Sequence, residues 1–205
     1  STPCGTLFPY TTLFRSLSRQ LGLEKTKVHR ILRTLAHTGI VFRTEDGTYS
    51  SGPGMHVLAA QSLYSSGLIQ KSLKHLSFLK KQGKTVGFGV LWKDKVSFLY
   101  HGSPGSSDFE SIGRIGLFEA TKSSVGMMLL SFRKDDELTA LYKGRNIPGF
   151  GSFSEFMKDI RTTRERGYAV LQGKGEHRSI AVVLGQPAYA AIAMAGDTSE
   201  KQVDD

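Results

Sequence analysis

The chain contains one cysteine, Cys4, among 205 residues, and it has no long apolar run. A single cysteine excludes an internal disulfide and a cysteine-based zinc site, and it fits a reducing compartment. The longest apolar stretch, residues 188–196, is strand-sized and falls well short of the ~18 residues that a membrane-spanning helix needs. We therefore expect a cytoplasmic globular protein with no membrane partner.

Signatures of catalysis are also missing. The sequence has no GxSxG elbow, no HExxH, no GxxxxGKS/T loop and no GxGxxG opening a helix, and its six histidines show no metal-ligand spacing. Ser77 and Lys80 match the SxxK spacing of serine acylases, but the companion SDN and KTG elements are absent, so a helix surface explains the pair better. His177, beside Glu176 and Arg178, is interpreted as part of a charged, solvated turn. We predict no catalytic residue, no metal and no cofactor.

Positive charge is in excess and is concentrated near the N-terminus. Lys and Arg number 27 against 18 Asp and Glu, which gives a net charge of +9. Such an excess favours an anionic partner such as nucleic acid, although it also occurs on ordinary solvated surfaces. Between residues 17 and 50 the acids are Glu24, Glu45 and Asp46, whereas the basic residues are Arg19, Lys25, Lys27, Arg30, Arg33 and Arg43.

The same segment has the pattern of a winged helix-turn-helix. A short helix is expected to end at Gly22, and a basic helix to run from near Lys25 to Gly39, where glycine can adopt the left-handed conformation that closes a helix. After it, two short extended runs flank the dipeptide Asp46-Gly47, which favours a tight hairpin. The expected buried stripe of the basic helix follows the spacing i, i+3, i+4, i+7 and consists of Val28, Ile31, Leu32 and Leu35.

In a winged helix-turn-helix the second helix enters the major groove of DNA, and the hairpin touches the backbone or the minor groove. Arg30 is the candidate for a bidentate pair with a guanine. The alternatives are the solvated face of an ordinary helix and a plain surface hairpin. The predicted DNA-facing residues are Lys25, Thr26, Lys27, His29, Arg30 and Arg33 on the helix, with Arg43 and Thr48 on the wing.

From residue 53 onward the pattern changes to that of a mixed helix and strand domain. Pro53 begins a linker helix over residues 53–66, and a further helix follows it. Apolar residues then alternate with period two from Val86 to Trp92, which indicates a strand. Ser154 is the predicted cap of a later amphipathic helix. We predict an antiparallel sheet flanked by helices, and hence an α+β fold.

These segments, taken in order, resemble the IclR-type transcriptional regulators. The stretch LSRQLGLEKTKVHRILRTLAHTGIVFR is similar to their DNA-binding segment, and DGTYSSG to their wing. KTVGFGVLWKDKVSFLYHG, RERGYAV and AAIAMAG are similar to parts of their C-terminal domain. The resemblance spans roughly residues 17–196. It implies a homodimer or homotetramer that binds double-stranded operator DNA through the winged domain and a small-molecule effector through the second domain.

The resemblance also implies where the effector binds. Family members close a pocket between the sheet and the start of a helix, where unpaired N–H groups suit a carboxylate, so a carboxylic acid is the implied effector. Ala193 and Ala195 stand where several relatives have serines. Leu171 or Gln172 replaces their acidic residue, which makes a more apolar or aromatic acid possible; the alternative is that these are packing residues only. The implied effector-binding residues are Ser123, Ser124, Val125, Gly126, Ser179, Ala193 and Ala195.

The first sixteen residues do not fit the resemblance. They stand in place of a first helix, and TLFPYTTLFRS looks like the translation of a common sequencing adapter. We interpret residues 1–16 as a non-native addition to a truncated gene fragment, with a divergent native arm as the alternative. The expected organisation is a winged helix-turn-helix without its first helix at 17–52, a linker helix at 53–66 and an effector-binding domain with a truncated C-terminus at 67–205.

Three functions remain open at this point. The first is a ligand-responsive transcription regulator in which effector binding modulates operator binding. The second is a small-molecule sensor or binding module without competent DNA binding, because a missing first helix leaves part of the apolar stripe uncovered. The third, an enzyme acting on a small acid, lacks a nucleophile or metal constellation.

Overall fold

The computed structural model describes residues 11–112, 116–173, 175 and 177–197 of the chain. The chain divides into two compact units between Ser72 and Leu73. The first unit contains helices and a small sheet, and the second contains a larger sheet with helices packed on it. This mixed architecture confirms the α+β fold that the sequence predicts.

Two helices joined by a tight turn form the helix-turn-helix. Helix α1 spans Phe14–Leu21 and α2 spans Lys25–His37. Ser18 stabilises the turn, because its hydroxyl donates to the carbonyl of Leu23 at 2.7 Å and its own carbonyl accepts from the N–H of Leu23 at 3.2 Å. Gly39 follows α2 with a φ of 72°, the left-handed conformation that the sequence predicts for a helix stop.

A three-stranded antiparallel sheet forms the wing. Its strands are β1 (Thr11–Leu13), β2 (Val41–Arg43) and β3 (Thr48–Ser51), in the order β1-β3-β2. The predicted hairpin joins β2 to β3. Strand β1 belongs to the segment 1–16, which we interpret as non-native. Residues 1–10 of this segment lie outside the described residues. The interpretation of the segment as non-native stays a prediction.

Two helices follow the wing. Helix α3 spans Pro53–Ser66 and α4 spans Leu68–Lys81, and Gly67 between them has a left-handed φ of 63°. Pro53 stands at the start of α3, where a missing N–H removes no helical hydrogen bond. None of the residues of α3, all of which the structure describes, is buried. Its apolar side chains therefore lie on the surface of the first unit.

The second unit is built on six antiparallel strands. They are β4 (Thr85–Trp92), β5 (Lys95–Gly102), β6 (Leu117–Glu119), β7 (Ala169–Gln172), β8 (His177–Leu184) and β9 (Ala190–Asp197). Their order in the sheet is β6-β5-β4-β9-β8-β7. The predicted strand is confirmed as β4, in which Val86 and Phe88 are fully buried, whereas Trp92 at its end is 54% exposed.

Further helices belong to the second unit and pack with this sheet. They are α5 (Asp108–Ser111), a 3₁₀ turn (Ala120–Lys122), α6 (Ser124–Ser131), α7 (Asp135–Tyr142) and α8 (Phe153–Arg166). Every residue of α6 is buried, because this helix lies between the central strands and α8. Met127 and Leu130 of α6 meet Phe156 and Ile160 of α8 in the main hydrophobic core.

The start of α8 differs from the sequence prediction. The cap is Ser152, whose hydroxyl accepts the N–H of Glu155 at 3.1 Å, and the predicted cap Ser154 is an exposed residue inside the helix. Phe153 packs against the hydrophobic core, so the chain is already helical there. Two serines in sequence can each cap a helix, and the packing of the phenylalanine between them selects the first.

Candidate functional site

Helix α2 presents a basic face to solvent. Val28 and Leu32, with exposed fractions of 2% and 7%, hold its other side in the first unit. The first turn of α2 carries no acidic residue, so an approaching phosphate meets positive side chains and the positive end of the helix dipole. All the helical positions predicted to face DNA are exposed, namely Lys25, Thr26, Lys27, His29, Arg30 and Arg33.

The apolar stripe of α2 is buried only in part. Ile31 is 43% exposed and Leu35 is half-buried, and both line a hollow of about 420 Å³ beside Lys27 and Arg30. The prediction that Ile31 is buried was therefore wrong. Helix α1 and strand β2 pack against α2. Val28 and Leu32 are buried, but Ile31 remains partly exposed.

The wing offers one of its two predicted residues to solvent. Arg43 is exposed at the end of β2. Thr48 is only 8% exposed, and its hydroxyl and N–H donate to the Asp46 carboxylate at 2.8 and 3.2 Å. Hydrogen bonds from Thr44 and then Thr48 lower the pKa of Asp46. The Thr48 side chain thus stabilises the turn. The prediction that it faces DNA is corrected, because it is directed inward.

A cavity of about 890 Å³ opens in the second unit between the sheet and the start of α6. Gly126, one of the implied effector residues, is not among the residues that line it. A Cβ at Gly126 would lie 2.2 Å from the carbonyl oxygen of Ala120, so this position requires glycine for close packing. The other implied residues all line the cavity, namely Ser123, Ser124, Val125, Ser179, Ala193 and Ala195.

The start of α6 forms a polar end of the cavity. The hydroxyl of Ser123 caps the helix by accepting the N–H of Gly126 at 3.4 Å. The hydroxyls of Ser124 and Ser179 lie 2.6 Å apart and join α6 to β8. Lys122 also lines the cavity. Helix-start N–H groups, hydroxyls and an ammonium group together suit an anionic ligand.

Aromatic side chains form another wall. A register shift between β4 and β5 leaves Leu99 out of the ladder. Because of this bulge, Phe98 and His101, three positions apart on one strand, both face the cavity. The ring of Phe98 contacts the rings of His101 and Phe118 edge to face, with centroids 5.6 and 5.3 Å apart. This wall can hold a planar apolar group.

Sequence reasoning missed the titratable residues of the cavity wall, namely His101, Glu119, Lys122, Asp159 and His177. The interpretation of His177 as part of a turn was wrong, because this residue begins β8 two positions before Ser179, although it is exposed to solvent as expected. Strand alternation places both side chains on one face, and that spacing was visible in the sequence. Asp159 carries no such signal, since it reaches the cavity only through the packing of α8.

Asp159 is a carboxyl group of the cavity without a close partner. It makes no hydrogen bond and no ion pair with the residues that the structure describes. The other acid of the cavity wall, Glu119, is paired with Lys95. Burial raises the pKa of Asp159, and the positive charge of Arg166 offsets this only in part.

Ser77 and Lys80 do not lie on a plain helix surface, contrary to the sequence prediction. The Lys80 side chain is 9% exposed, and its ammonium donates to the Asp108 carboxylate at 2.7 Å and to the carbonyl of Ser106 at 2.6 Å. Ser77 and Tyr100 donate to the same carboxylate at 2.6 and 3.0 Å. Hydrogen bonds from Lys80 and then Ser77 lower the pKa of Asp108 to about 2. The network ties α4 to β5 and α5.

In the described part of the chain, no group of three or more histidine, cysteine, aspartate and glutamate side chains is placed to hold a metal ion. Its helices also include none that is both long enough and apolar enough to cross a bilayer.

An exposed basic helix with a wing, in a chain that also contains a ligand cavity, defines a ligand-responsive DNA-binding regulator. Two family models match the chain in agreement with this class. The IclR helix-turn-helix domain matches residues 13–45, and the bacterial transcriptional regulator IclR C-terminal domain matches residues 60–196. The chain belongs to the IclR family, and it is a transcriptional regulator with a helix-turn-helix domain and a C-terminal effector-binding domain.

Individual relatives agree with this assignment. The HTH-type transcriptional regulator XynR of Escherichia coli (strain K12) is 27% identical over 201 residues, which cover 92% of this chain and 79% of XynR. An IclR family transcriptional regulator from Brucella abortus has a similar fold, with a TM-score of 0.73 at 19% identity over 96% of this chain and 79% of that one. An IclR homolog from Microbacterium hydrocarbonoxydans, complexed with 4-hydroxybenzoate, has a TM-score of 0.62 at 19% identity over 97% of this chain and 87% of that one.

Proposed function

We propose that the chain binds a two-fold operator through α2 and the wing, and that a small carboxylic acid in the cavity changes its affinity for that operator. The observation that carries the DNA contact is the exposed basic face of α2 opposite the buried Val28 and Leu32. The chain acts in the cytoplasm by binding and performs no catalytic step. The proposed DNA contacts are Lys25, Thr26, Lys27, His29, Arg30, Arg33 and Arg43.

The choice of a carboxylic acid rests on the chemistry of the cavity. Its polar end combines the start of α6 with Ser124, Ser179 and Lys122, and a carboxylate can accept hydrogen bonds from all of these. The ligand of the Microbacterium homolog, 4-hydroxybenzoate, is itself a carboxylic acid. An effector that prefers one arrangement of the second unit then shifts the population of DNA-binding states.

Operator binding should be steeply salt-dependent and sensitive to an acid ligand. The operator is obtained by selecting duplexes from a random pool with the full chain, and its Kd is measured by fluorescence anisotropy. We expect Kd to rise about a hundredfold or more between 50 and 200 mM salt, because several phosphates are neutralised. A binding acid from a panel of small carboxylates should change Kd by about 5- to 150-fold. Salt-independent binding would contradict the proposal, and acid binding without DNA binding would favour the small-molecule binding module.

We also propose that the chain forms a homodimer through α3. This helix has no buried residue and places several large apolar side chains in solvent, and a patch of this kind marks an interface. The exposed side chains are those of Met55, Val57, Leu58, Leu63 and Tyr64.

Replacing Val57 and Leu58 together by aspartate should weaken the dimer by about a hundredfold or more, because two charges would be buried without partners. Sedimentation velocity over a concentration series measures the dimer Kd. The matched control is Gln61→Asp, an exposed polar position on the same helix, which should change Kd much less. A monomeric unaltered chain, or equal effects of both variants, would exclude α3 as the interface.

A further inference from the structure

Helix α5 exposes one aromatic side chain almost completely. Phe109 is 90% exposed, although the residues on both sides of it are held in place. Asp108 accepts hydrogen bonds from α4 and β5 at 2.6, 2.7 and 3.0 Å, and Glu110 closes a capping box with Ser107. Helix α5 therefore presents Phe109 to solvent as a fixed anchor. Aromatic anchors of this kind are typical of protein interfaces.

A groove of about 1210 Å³ lies elsewhere on the second unit. It is formed by the end of β4, the turn between β8 and β9 and the segment that joins α6 to α7, and it shares no lining residue with the effector cavity. Trp92, Phe132 and Tyr189 line it, and each of these side chains is more than half exposed. Three open rings around one groove can contact an inserted aromatic side chain.

The rim of this groove carries free positive charge. Lys134 is exposed on the rim, and the ammonium of Lys93 lies 5.5 Å from the centre of the Trp92 ring. In the described part of the chain neither ammonium forms an ion pair. The acids beside them are already engaged, namely Asp94 with Lys95, Asp135 with Arg164, Asp136 with the N–H of Glu137, and Glu137 with Arg133.

The anchor carries the opposite charge. Hydrogen bonds from the N–H and then the hydroxyl of Ser107 lower the pKa of Glu110, so this exposed carboxyl stays ionised. The charge of Asp108 is compensated by Lys80, which leaves Glu110 as the free negative charge next to Phe109. An aromatic side chain with an acidic neighbour therefore matches, in shape and in charge, an aromatic groove with a basic rim.

We propose that a second copy of the chain inserts Phe109 into this groove and places Glu110 beside Lys134. Two copies exchange the contact reciprocally around a two-fold axis, which closes the assembly. The interface lies in the second unit and depends neither on the effector cavity nor on α3. One anchor with its rim makes a small interface, so we expect this contact to be weaker than a dimer through α3.

The test uses the α3 variant, Val57→Asp with Leu58→Asp, because it removes the other proposed contact between copies. Sedimentation velocity over a concentration series should show that this variant still pairs. Phe109→Ala in the same background should raise the Kd of pairing by roughly thirtyfold or more, the usual effect of truncating an aromatic anchor. The matched control is Phe78→Ala, another exposed phenylalanine, on α4, which should change the Kd by less than about threefold.

Double variants identify where Phe109 binds. Tyr189→Ala should also weaken pairing, and its combination with Phe109→Ala should weaken it no further than the stronger single change, because both remove one contact. Glu110→Lys and Lys134→Glu should each weaken pairing, whereas the two together should restore the Kd to within about threefold. Glu110→Lys also removes the cap of α5, but a loss of that origin would not be restored by a change at Lys134.

Four results would overturn the inference. They are an α3 variant that stays monomeric at every concentration, as expected if the groove serves a different protein, equal effects of Phe109→Ala and Phe78→Ala, additive effects of Phe109→Ala and Tyr189→Ala, and a charge reversal that restores nothing. Failure of the α3 proposal gives a separate signature. If the α3 variant pairs as tightly as the unaltered chain and Phe109→Ala abolishes this pairing, α3 is not the interface and the groove contact stands.

Discussion

Replacing Lys27, Arg30 and Arg33 together by alanine is expected to lower the affinity for the selected operator by roughly a thousandfold. Each side chain is exposed on α2, and a base or phosphate contact contributes on the order of 1–3 kcal/mol. Three contacts of about 1.4 kcal/mol each account for this loss. The fold should be unaffected, because the buried Val28 and Leu32 are unchanged. Fluorescence anisotropy measures the affinity, and thermal unfolding checks the fold.

A second triple variant distinguishes specific contacts from net charge. Lys143, Arg145 and Arg161 are exposed in the second unit, and their replacement by alanine removes the same charge. This control should change operator affinity by less than about tenfold at physiological salt, where charges beyond about 8 Å are screened. If both triple variants lost affinity equally, nonspecific attraction would explain the binding and α2 would not be the recognition helix.

Asp108→Ala is expected to destabilise the second unit by about 2 kcal/mol at pH 7. The carboxylate accepts from Lys80, Ser77 and Tyr100, and its removal leaves the buried ammonium of Lys80 without its charged partner. Losing hydrogen bonds to a charged group costs on the order of 1.5–3 kcal/mol. Because the Asp108 side chain is 42% exposed, solvent compensates part of the loss. Urea denaturation measures the change in the free energy of unfolding.

The same network makes stability depend on pH. The pKa of Asp108 is lowered from 3.8 to about 2, so its stabilisation is complete above about pH 4 and is lost as the pH falls toward 2. The deficit of Asp108→Ala should therefore shrink over this interval. Glu165→Ala, an exposed change on α8, should show little deficit at any pH. A deficit of Asp108→Ala that stays constant down to pH 2 would contradict the ionic origin of the stabilisation.

A double variant separates the charge of the Lys80–Asp108 pair from its packing. Lys80→Met with Asp108→Leu removes both charges and keeps apolar volume, and we expect it to be more stable than Asp108→Ala alone. An unpaired buried charge is costly, whereas replacing both members of a buried pair is often neutral. If the double variant were less stable than the single one, packing around Lys80 rather than its charge would explain the effect.

Local patterns predicted most elements of this fold. The helix stop at Gly39, the hairpin at Asp46-Gly47 and the alternation from Val86 to Trp92 depend on residues close together in sequence, and each appears in the structure. The order of helix, turn, helix and wing carried the family resemblance, and the family models confirm it. The effector residues were placed by that resemblance, and the structure brings six of them to one cavity.

The predictions that were wrong or missing concern features that depend on contacts between distant segments of the chain. Ser152 replaced Ser154 as the α8 cap because Phe153 packs into the core. Lys80 is buried because Asp108, far along the chain, meets it. Asp159 reaches the cavity only because α8 lies on the same face of the sheet as α6. A single sequence contains no pattern that predicts contacts between residues distant along the chain, since burial and ion pairing follow from the packed arrangement.

The sequence by itself determined the class of this protein: a basic helix between two glycine stops, a wing and an α+β domain without catalytic signatures. These follow from periodicity, turn chemistry and charge, which act over a few residues. Only the tertiary structure decided which side chains meet. It turned Thr48 inward, left Ile31 partly exposed and brought Asp159 to the wall of the cavity, because the neighbours of a side chain in space are selected by the packing of the whole domain.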